Sequence, residues 1–173
     1  FRWWFHNGRG SYIQAKQILD RQKNFWMVAG IRQSWESISK QWLWMPRLAF
    51  FYEPHKNYNL RAPDSLKRTP STYRLAVGAY HQAPFYREMR NFNGALNLNL
   101  KAQESWHVVF GMDKIVTLWG KKFKYSTEAY FKQLNNLDPY LYDNIRIRYY
   151  ANNASNGYAI GFDNRLYGQF NNG

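Results

Sequence analysis

The sequence lacks cysteine, which excludes disulfide bonds, thiolate metal sites and cysteine nucleophiles. It also lacks long apolar runs, since no stretch approaches the ~18 apolar residues that a membrane-spanning helix needs. Acidic residues are few: 11 Asp and Glu stand against 24 Lys and Arg, which gives a net charge of +13. The first residue is Phe1, with no signal peptide before it, so we expect a mature form or a fragment of a larger protein.

Aromatic residues are abundant in a chain that is polar on average. They make up 20% of the residues, with 8 Trp, 14 Tyr and 12 Phe, while the mean hydropathy is −0.68. Rings set among Asn, Gln, Lys and Arg are typical of an apolar belt around a wet interior, in which every second residue faces lipid. Basic residues interleaved with rings are also typical of nucleic-acid-binding proteins, so that function stays open as an alternative.

Seven segments alternate with period two, which predicts β-strands. They comprise residues 12–19 (the weakest), 25–36, 42–53, 73–80, 106–113, 122–134 and 158–170. Their lengths bracket the roughly 9–11 residues that cross a bilayer at the usual tilt. Rings cluster at strand ends, as Trp42 and Tyr52 do, which is typical of the girdles at membrane interfaces. The sequence therefore predicts an all-β, antiparallel transmembrane β-barrel segment, although a soluble antiparallel sheet with one wet face would alternate similarly.

The alternation also predicts which way side chains point. We expect lipid contact for Leu48, Phe50, Leu75, Val77, Phe123, Tyr125 and Phe131. We expect a lumen-facing position for Arg32, Arg47, Arg74, Tyr80, Lys124, Glu128, Asp163 and Arg165. Charges in such a lumen either form a satisfied ladder along the barrel wall or contact a plug or ligand, and the sequence favours the ladder.

Connections between the predicted strands differ in length. Segments 20–23 and 119–121 are short, whereas 83–104 and 135–157 are long, as outer-membrane barrels alternate short periplasmic turns with long external loops. Strand parity then predicts that both long loops and segment 37–41 lie on one side, and that the long connection 54–72 lies on the other, where it fits the rule poorly. The candidate ligand-binding residues on the long loops are Arg87, Arg90, Arg146, Arg148 and Tyr149. Arg146 and Arg148, beside Tyr149 and Tyr150, could bind an anionic or sugar-like ligand, and the alternative is packing between loops. For Arg87 and Arg90, which flank Glu88, the alternative is structural ion pairs. The sequence favours these structural alternatives.

Ordered motifs from about Asn24 onward carry a family resemblance. The stretch from Tyr80 resembles the pattern "YxQPPFYRELRNFDG" and matches it at Tyr80, Gln82, Pro84, Phe85, Tyr86, Arg87, Glu88, Arg90, Asn91, Phe92 and Gly94. It departs from that pattern at Ala83, Met89 and Asn93. Further segments resemble "LKAQ" at 100–103, "DNVRIRY" at 143–149 and "GYAxGxD" at 157–163. These motifs are similar to those of TonB-dependent outer-membrane receptors of Bacteroidota.

The resemblance implies a barrel of about 22 strands with an N-terminal plug. It also implies ligand uptake across the cell outer membrane of a Gram-negative bacterium, or a barrel subunit of a larger outer-membrane assembly. The implied partners are outer-membrane lipid and, through regions outside these residues, the TonB complex. A surface lipoprotein or other envelope subunits stay open as further partners. Because seven strands cannot close a bacterial barrel, we expect residues 1–173 to be part of one barrel domain, without the plug and the remaining strands.

No nucleophile, acid and base set can be assembled from this sequence, and the four histidines lack metal-ligand spacing. We therefore expect no enzymatic activity, no cofactor and no metal. The barrel interpretation also predicts no nucleic-acid partner, whereas its alternative predicts one. We further expect the basic residues to form two separate rims with an uncharged outward band between them. The residues assigned to the rims are Arg21, Lys23, Lys40, Lys56, Lys67, Arg68, Lys101, Lys121, Lys122, Arg146 and Arg148. A nucleic-acid binder would instead gather such residues on one continuous face.

Overall fold

The structure, a computed structural model, describes residues 2–5, 10–54 and 71–168. Its strands are β1 Arg2–Phe5, β2 Gly10–Ile18, β3 Phe25–Glu36, β4 Gln41–Tyr52, β5 Ser71–Gln82, β6 Gln103–Leu118, β7 Lys121–Leu137, β8 Tyr140–Asp143, β9 Arg146–Tyr149 and β10 Ser155–Tyr167. Within these ranges there is no helix long and apolar enough to cross a membrane. The prediction of an all-β chain is confirmed.

Eight strands form one antiparallel sheet in the order β1-β2-β3-β4-β5-β6-β7-β10. Each strand up to β7 pairs with its neighbour in sequence, whereas β10 pairs with β7 after the separate hairpin of β8 and β9. The sheet is open, with β1 and β10 at its edges. This arrangement is an up-and-down meander, which is also found in β-barrels, although the described strands do not close it.

All seven predicted strands are present, with bounds that differ by a few residues. The strands β6 and β7 are longer than predicted, with 16 and 17 residues, because their hairpin closes on the two-residue turn of Trp119 and Gly120. Both turn residues have positive φ angles, 50° and 72°, as a type I′ turn requires. The short strand β1 and the β8–β9 hairpin were not predicted. Residues 55–70, with Lys56, Lys67 and Arg68, and residues 169–173 lie outside the described residues, so the predicted connection 54–72 is untested.

The register aligns apolar side chains in rows across one face of the sheet, here called the outer face. One such row consists of Ala15, Ala29, Leu48, Val77, Val108, Phe131 and Ile160. The next row consists of Gln17, Met27, Phe50, Leu75, Phe110, Ala129 and Phe162. Neither row contains a charged residue, and most of their large apolar side chains are exposed. The predicted outward band without charge is therefore present in the described sheet.

Phe123 departs from the predicted facing. It lies on the outer face by register, opposite Val116, but only 1% of it is exposed. The ring of Trp119 meets it edge-on at 6.2 Å, and the backbone at Gly168 lies directly against it. The prediction that Phe123 contacts lipid is therefore wrong in this structure, because neighbouring chain covers the ring.

The small hydrophobic core lies at the loop end of the opposite face, here called the inner face. The ladder between β4 and β5 ends at the pair Arg47 and Gly78, so the first residues of β4 lack β5 as a neighbour. Leu43 and Met45 are 7% exposed there and pack with Ala102 of the following loop. The loop thus covers the part of β4 that β5 leaves open.

Candidate ligand-binding site on the two long loops

The two long loops, residues 83–102 and 138–154, leave the sheet at the same end. One connects β5 with β6, and the other connects β7 with β10 and contains the β8–β9 hairpin. They touch directly, since Asn97 Nδ2 donates a hydrogen bond of 2.8 Å to the carbonyl oxygen of Ala151. The prediction that both long loops lie on one side of the sheet is confirmed.

Asn153 forms a second set of hydrogen bonds between the same two loops. Its Nδ2 donates to the carbonyl oxygens of Lys101 at 3.0 Å and Asn136 at 2.7 Å, and its Oδ1 accepts from the Lys101 amide at 2.7 Å. Its φ angle of 51° is one that Asn tolerates better than most residues. These bonds satisfy backbone groups of the first loop, at Lys101, and of the end of β7, at Asn136, that the β-ladder does not reach.

Gln41 connects the β3–β4 turn to the first long loop. Its Nε2 donates to the Leu100 carbonyl oxygen at 3.0 Å, and its Oε1 accepts from the Ala102 amide at 3.1 Å. This pair of bonds imitates a strand pairing, because a primary amide presents the same donor and acceptor as a peptide group. Segment 37–41 therefore lies at the loop end, as strand parity predicted.

Each of the two long loops contains a buried carboxylate. Glu88 is 9% exposed and accepts a hydrogen bond of 2.9 Å from the Phe85 amide. Among the described residues it makes no ion pair with Arg87 or Arg90, so the alternative of local ion pairs is not seen. Asp138 is 7% exposed, and its Oδ1 accepts from the Asn152 amide at 3.1 Å. Burial raises the pKa of Asp138, and the nearby carboxylate of Glu88 adds to that rise.

The β8–β9 hairpin presents the second pair of predicted arginines. Its register pairs Leu141 with Arg148 and Asp143 with Arg146. Asp143 forms an ion pair of 2.9 Å with the guanidinium of Arg148. Arg87 of the other loop donates a hydrogen bond of 3.4 Å to the Ile147 carbonyl oxygen. The hairpin is thereby held beside the first loop.

A pocket of ≈ 380 Å³, here called the arginine pocket, lies between the hairpin and the first loop. It is lined by Arg87, Arg90, Asn91, Phe92, Gly94, Arg146, Ile147, Arg148 and Tyr149. All five residues predicted to bind ligand are therefore brought together. The other four lining residues, Asn91, Phe92, Gly94 and Ile147, were not predicted as ligand-binding, although all four belong to motifs that carry the family resemblance.

The arginine pocket has more positive than negative charge at its lining. Of its four guanidinium groups, that of Arg148 alone has a carboxylate partner among the described residues. Arg90 donates to the Tyr86 hydroxyl at 3.4 Å and lies over the Tyr86 ring. Phe92 meets Tyr150 edge-on with ring centroids 4.7 Å apart. Such a lining can bind anionic groups through the guanidinium donors and carbon surfaces through the rings.

The predicted lumen-facing residues form a separate group on the inner face. The register brings seven of them to that face: Arg32, Arg47, Arg74, Tyr80, Glu128, Asp163 and Arg165. Arg74 forms an ion pair with Glu128, and the guanidinium of Arg47 lies over the Tyr80 ring at 4.7 Å. Lys124 also lies there and pairs with Asp113 at 3.4 Å. The charges thus form a partly satisfied ladder, as the sequence favoured; whether this face lines a lumen stays a prediction.

Basic residues follow the predicted rims in the described ranges, with one addition. Lys40, Lys101, Arg146 and Arg148 lie at the loop end, and Arg21, Lys23, Lys121 and Lys122 lie at the opposite end. A third set lies on the inner face and includes Lys16, Arg32, Arg47 and Lys132. The outer face keeps its uncharged band between the two rims.

Comparison of the chain with protein-family models, with curated proteins and with solved structures gave no match.

Proposed function

We propose that this chain is part of an outer-membrane β-barrel of the TonB-dependent receptor type, which binds a ligand at its loops for uptake across the outer membrane. In a variant of this proposal, the chain is the barrel subunit of a larger outer-membrane assembly and does not transport a ligand. The observation that carries it is the contrast between the two faces of one sheet. The outer face presents an uncharged apolar band, whereas the inner face carries charges of both signs.

The size of the apolar band supports a lipid environment. Val77, Val108, Phe131 and Ile160 are adjacent across four strands and are 39%, 42%, 42% and 76% exposed. Soluble monomers rarely expose contiguous apolar patches larger than a few hundred Å². Exposure of such a band to water would be unfavourable at roughly 25 cal/mol per Å². Lipid hydrocarbon against the outer face would remove this unfavourable contact with water.

Aromatic side chains border the band at both ends. At the loop end, Trp35 and Trp42 pair with ring centroids 5.1 Å apart. At the other end, Phe25, Tyr52 and Tyr73 form one row, with neighbouring centroids 6.4 and 6.3 Å apart. Tryptophan and tyrosine favour the two membrane interfaces, where the ring is in apolar surroundings and the polar atom reaches water.

Strand length supports the same reading. The strand β4 has 12 residues, which at ~3.3 Å per residue extend ~40 Å. A tilt of ~40° reduces that to ~30 Å along the membrane normal, about the thickness of the hydrocarbon core. The open edges of the sheet require further strands, because an unpaired backbone group in lipid costs several kcal/mol. We therefore propose that strands from additional sequence or another chain complete the barrel.

The receptor identity, the TonB coupling and the outer-membrane location rest on the motif resemblance around residues 80–94 and 143–163. The arginine pocket supports a receptor role, because it lies on the loops that would face the cell exterior.

Membrane fractionation tests the proposal directly. The full chain in its native host should sediment with outer membranes, resist extraction by ~1 M salt and dissolve in detergent. A barrel should also migrate differently on gels before and after boiling, because the closed sheet resists the detergent when cold. Release by salt alone, with no effect of boiling, would refute the membrane proposal.

The inner face favours a second candidate, a basic protein that binds nucleic acid. On this face Lys16 lies over the Trp26 ring at 5.0 Å, and Lys132 lies over the Tyr130 ring at 4.9 Å. Trp26 and Phe51 stack with centroids 5.3 Å apart. Nucleic-acid binders combine rings and basic residues in this way, but this function leaves the apolar outer face unexplained. Salt-sensitive binding of single-stranded oligonucleotides by a protein that needs no detergent would favour it.

A further inference from the structure

We propose that the arginine pocket binds a ligand with at least two anionic groups, carboxylate or phosphate, and that this ligand contacts both long loops at once. This deepens the proposed function by assigning the ligand class of the loop site. It needs the loops to be accessible to ligand but does not need the barrel to transport it.

The charge of the lining argues for an anionic ligand. Four guanidinium groups line a pocket in which Arg148 alone has a carboxylate partner among the described residues. Asp143 provides that partner, and Glu88 is buried and bonded to a backbone amide instead. Guanidinium groups gathered without counter-charges repel one another, and this repulsion is relieved when carboxylate or phosphate oxygens accept their N–H groups.

The four arginines come from two different loops, which favours a ligand with more than one anionic group. Arg87 and Arg90 belong to the first loop, whereas Arg146 and Arg148 belong to the β8–β9 hairpin. The Arg87 bond to the Ile147 carbonyl oxygen brings the two pairs to one pocket. Each planar guanidinium can bind an anionic group through two parallel hydrogen bonds. A ligand with two or more such groups can therefore engage both loops together.

The volume and the rings argue for a carbon skeleton between the anionic groups. The ≈ 380 Å³ of the pocket lies within the roughly 300–1,000 Å³ that is usual for small-molecule sites. Phe92 and Tyr149 line it beside the arginines, and Phe92 is fixed by its edge-on contact with Tyr150. Rings in this position offer apolar contact to an uncharged part of the ligand.

The anionic groups have two chemical sources at an outer surface: a soluble polyanion and the phosphates of a membrane lipid. The test uses the full chain in detergent and measures binding by calorimetry. Citrate and tripolyphosphate represent the soluble source, a diphosphoryl glycolipid in mixed micelles represents the lipid, and acetate and sucrose are the weakly charged and neutral controls. We expect citrate or tripolyphosphate to bind at least about tenfold more tightly than acetate, and sucrose not to bind. Binding of the glycolipid alone would still support the polyanionic site and would identify its source as lipid.

A pair of variants separates the pocket from general charge attraction. The double variant Arg87→Gln and Arg146→Gln removes one guanidinium from each loop, and we expect it to weaken polyanion binding about 100-fold, since each lost charge-assisted bond accounts for about tenfold or more. The matched double variant Arg21→Gln and Lys122→Gln removes the same charge from the opposite rim and should change binding less than about twofold. Equal losses in both, or equal binding of citrate and acetate, would overturn the proposal.

Two further experiments cover the case in which the pocket variant does not fold and the case in which the site binds nucleic acid. If the pocket variant does not fold, the single variants Arg87→Gln and Arg146→Gln replace it: each should weaken polyanion binding about tenfold, whereas Lys122→Gln should change it less than about twofold, and equal changes would overturn the proposal. An oligonucleotide that binds at least about tenfold more tightly than tripolyphosphate at equal phosphate concentration, and equally well to the pocket variant, would also overturn it, in favour of nucleic acid. Failure of these tests leaves fractionation and gel behaviour unaffected, so it is distinct from failure of the barrel proposal.

Discussion

Arg74 on β5 and Glu128 on β7 form an ion pair across β6, and the residue between them is Gly111. A Cβ atom at Gly111 would lie 3.1 Å from a terminal nitrogen of Arg74. The absent side chain therefore leaves the space through which the guanidinium reaches the carboxylate two strands away. The three residues act as one unit on the inner face.

We predict that a larger side chain at Gly111 uncouples this ion pair. A double-mutant cycle of Arg74→Met and Glu128→Gln should give a coupling energy of about 0.2–1 kcal/mol, because both side chains are partly exposed. The same cycle in a Gly111→Val background should give about 0 kcal/mol, since the branched side chain occupies the path of Arg74. Denaturant unfolding of the full chain in micelles measures both. An unchanged coupling energy in the Gly111→Val background would contradict this arrangement.

The second prediction tests which face meets lipid. Leu75 lies in the uncharged band and is 43% exposed, so Leu75→Arg should lower the free energy of unfolding in bilayers by about 2–4 kcal/mol. The neighbouring Ala76 lies on the inner face and lines a pocket of ≈ 210 Å³, so Ala76→Arg should cost less than about 1 kcal/mol. Equal folding of the parent and Leu75→Arg in lipid vesicles would show that the facing is wrong.

Much of the sheet could be predicted from the sequence because side-chain direction in a strand has period two. The alternation of Arg74 with Leu75 was sufficient to place them on opposite faces, and the register confirms that placement. Alternation alone cannot tell whether a side chain is covered by distant chain. Phe123 has the correct parity but is buried by Trp119 and the backbone at Gly168.

The site was predicted less completely, for a different physical reason. The β8–β9 hairpin has strands of 4 residues, too short for alternation to distinguish them from loop. The contact between the loops depends on Asn97 and Asn153, whose side chains bind backbone groups 54 and 52 residues away in sequence. No periodicity reveals such bonds. Arg146 and Arg148 were identified by residue type and motif, and their position beside Arg87 came from the structure alone.

The third prediction concerns the connection between the loops. Asn153→Ala removes three hydrogen bonds at once and leaves the backbone groups of Lys101 and Asn136 unpaired. At about 0.5–1.5 kcal/mol for each bond, the free energy of local opening should fall by about 1.5–4.5 kcal/mol. Hydrogen exchange of the Lys101 amide measures this. The matched control is Asn93→Ala in the first long loop, which also contains Lys101. No side-chain bond of Asn93 is present among the described residues, so this variant should leave that exchange rate unchanged. Equal protection in the two variants would rule out a role for Asn153.

The last prediction concerns pH and the buried carboxyl of Asp138. Burial raises its pKa above the ordinary value of 3.8, and the charge of Glu88 raises it further. Between the ordinary and the raised pKa, the folded loop binds more protons than the open loop, so loop stability must fall as pH rises through that window and stay reduced at neutral pH.

Carbon NMR of the carboxyl groups should give a titration midpoint above 3.8 for Asp138, and Glu88→Gln should lower that midpoint. Asp138→Asn keeps an oxygen for the Asn152 amide but cannot ionise, so exchange protection of that amide should lose its pH dependence. A midpoint at or below 3.8, or pH-dependent protection that persists in Asp138→Asn, would show that this carboxyl does not destabilise the loops at neutral pH.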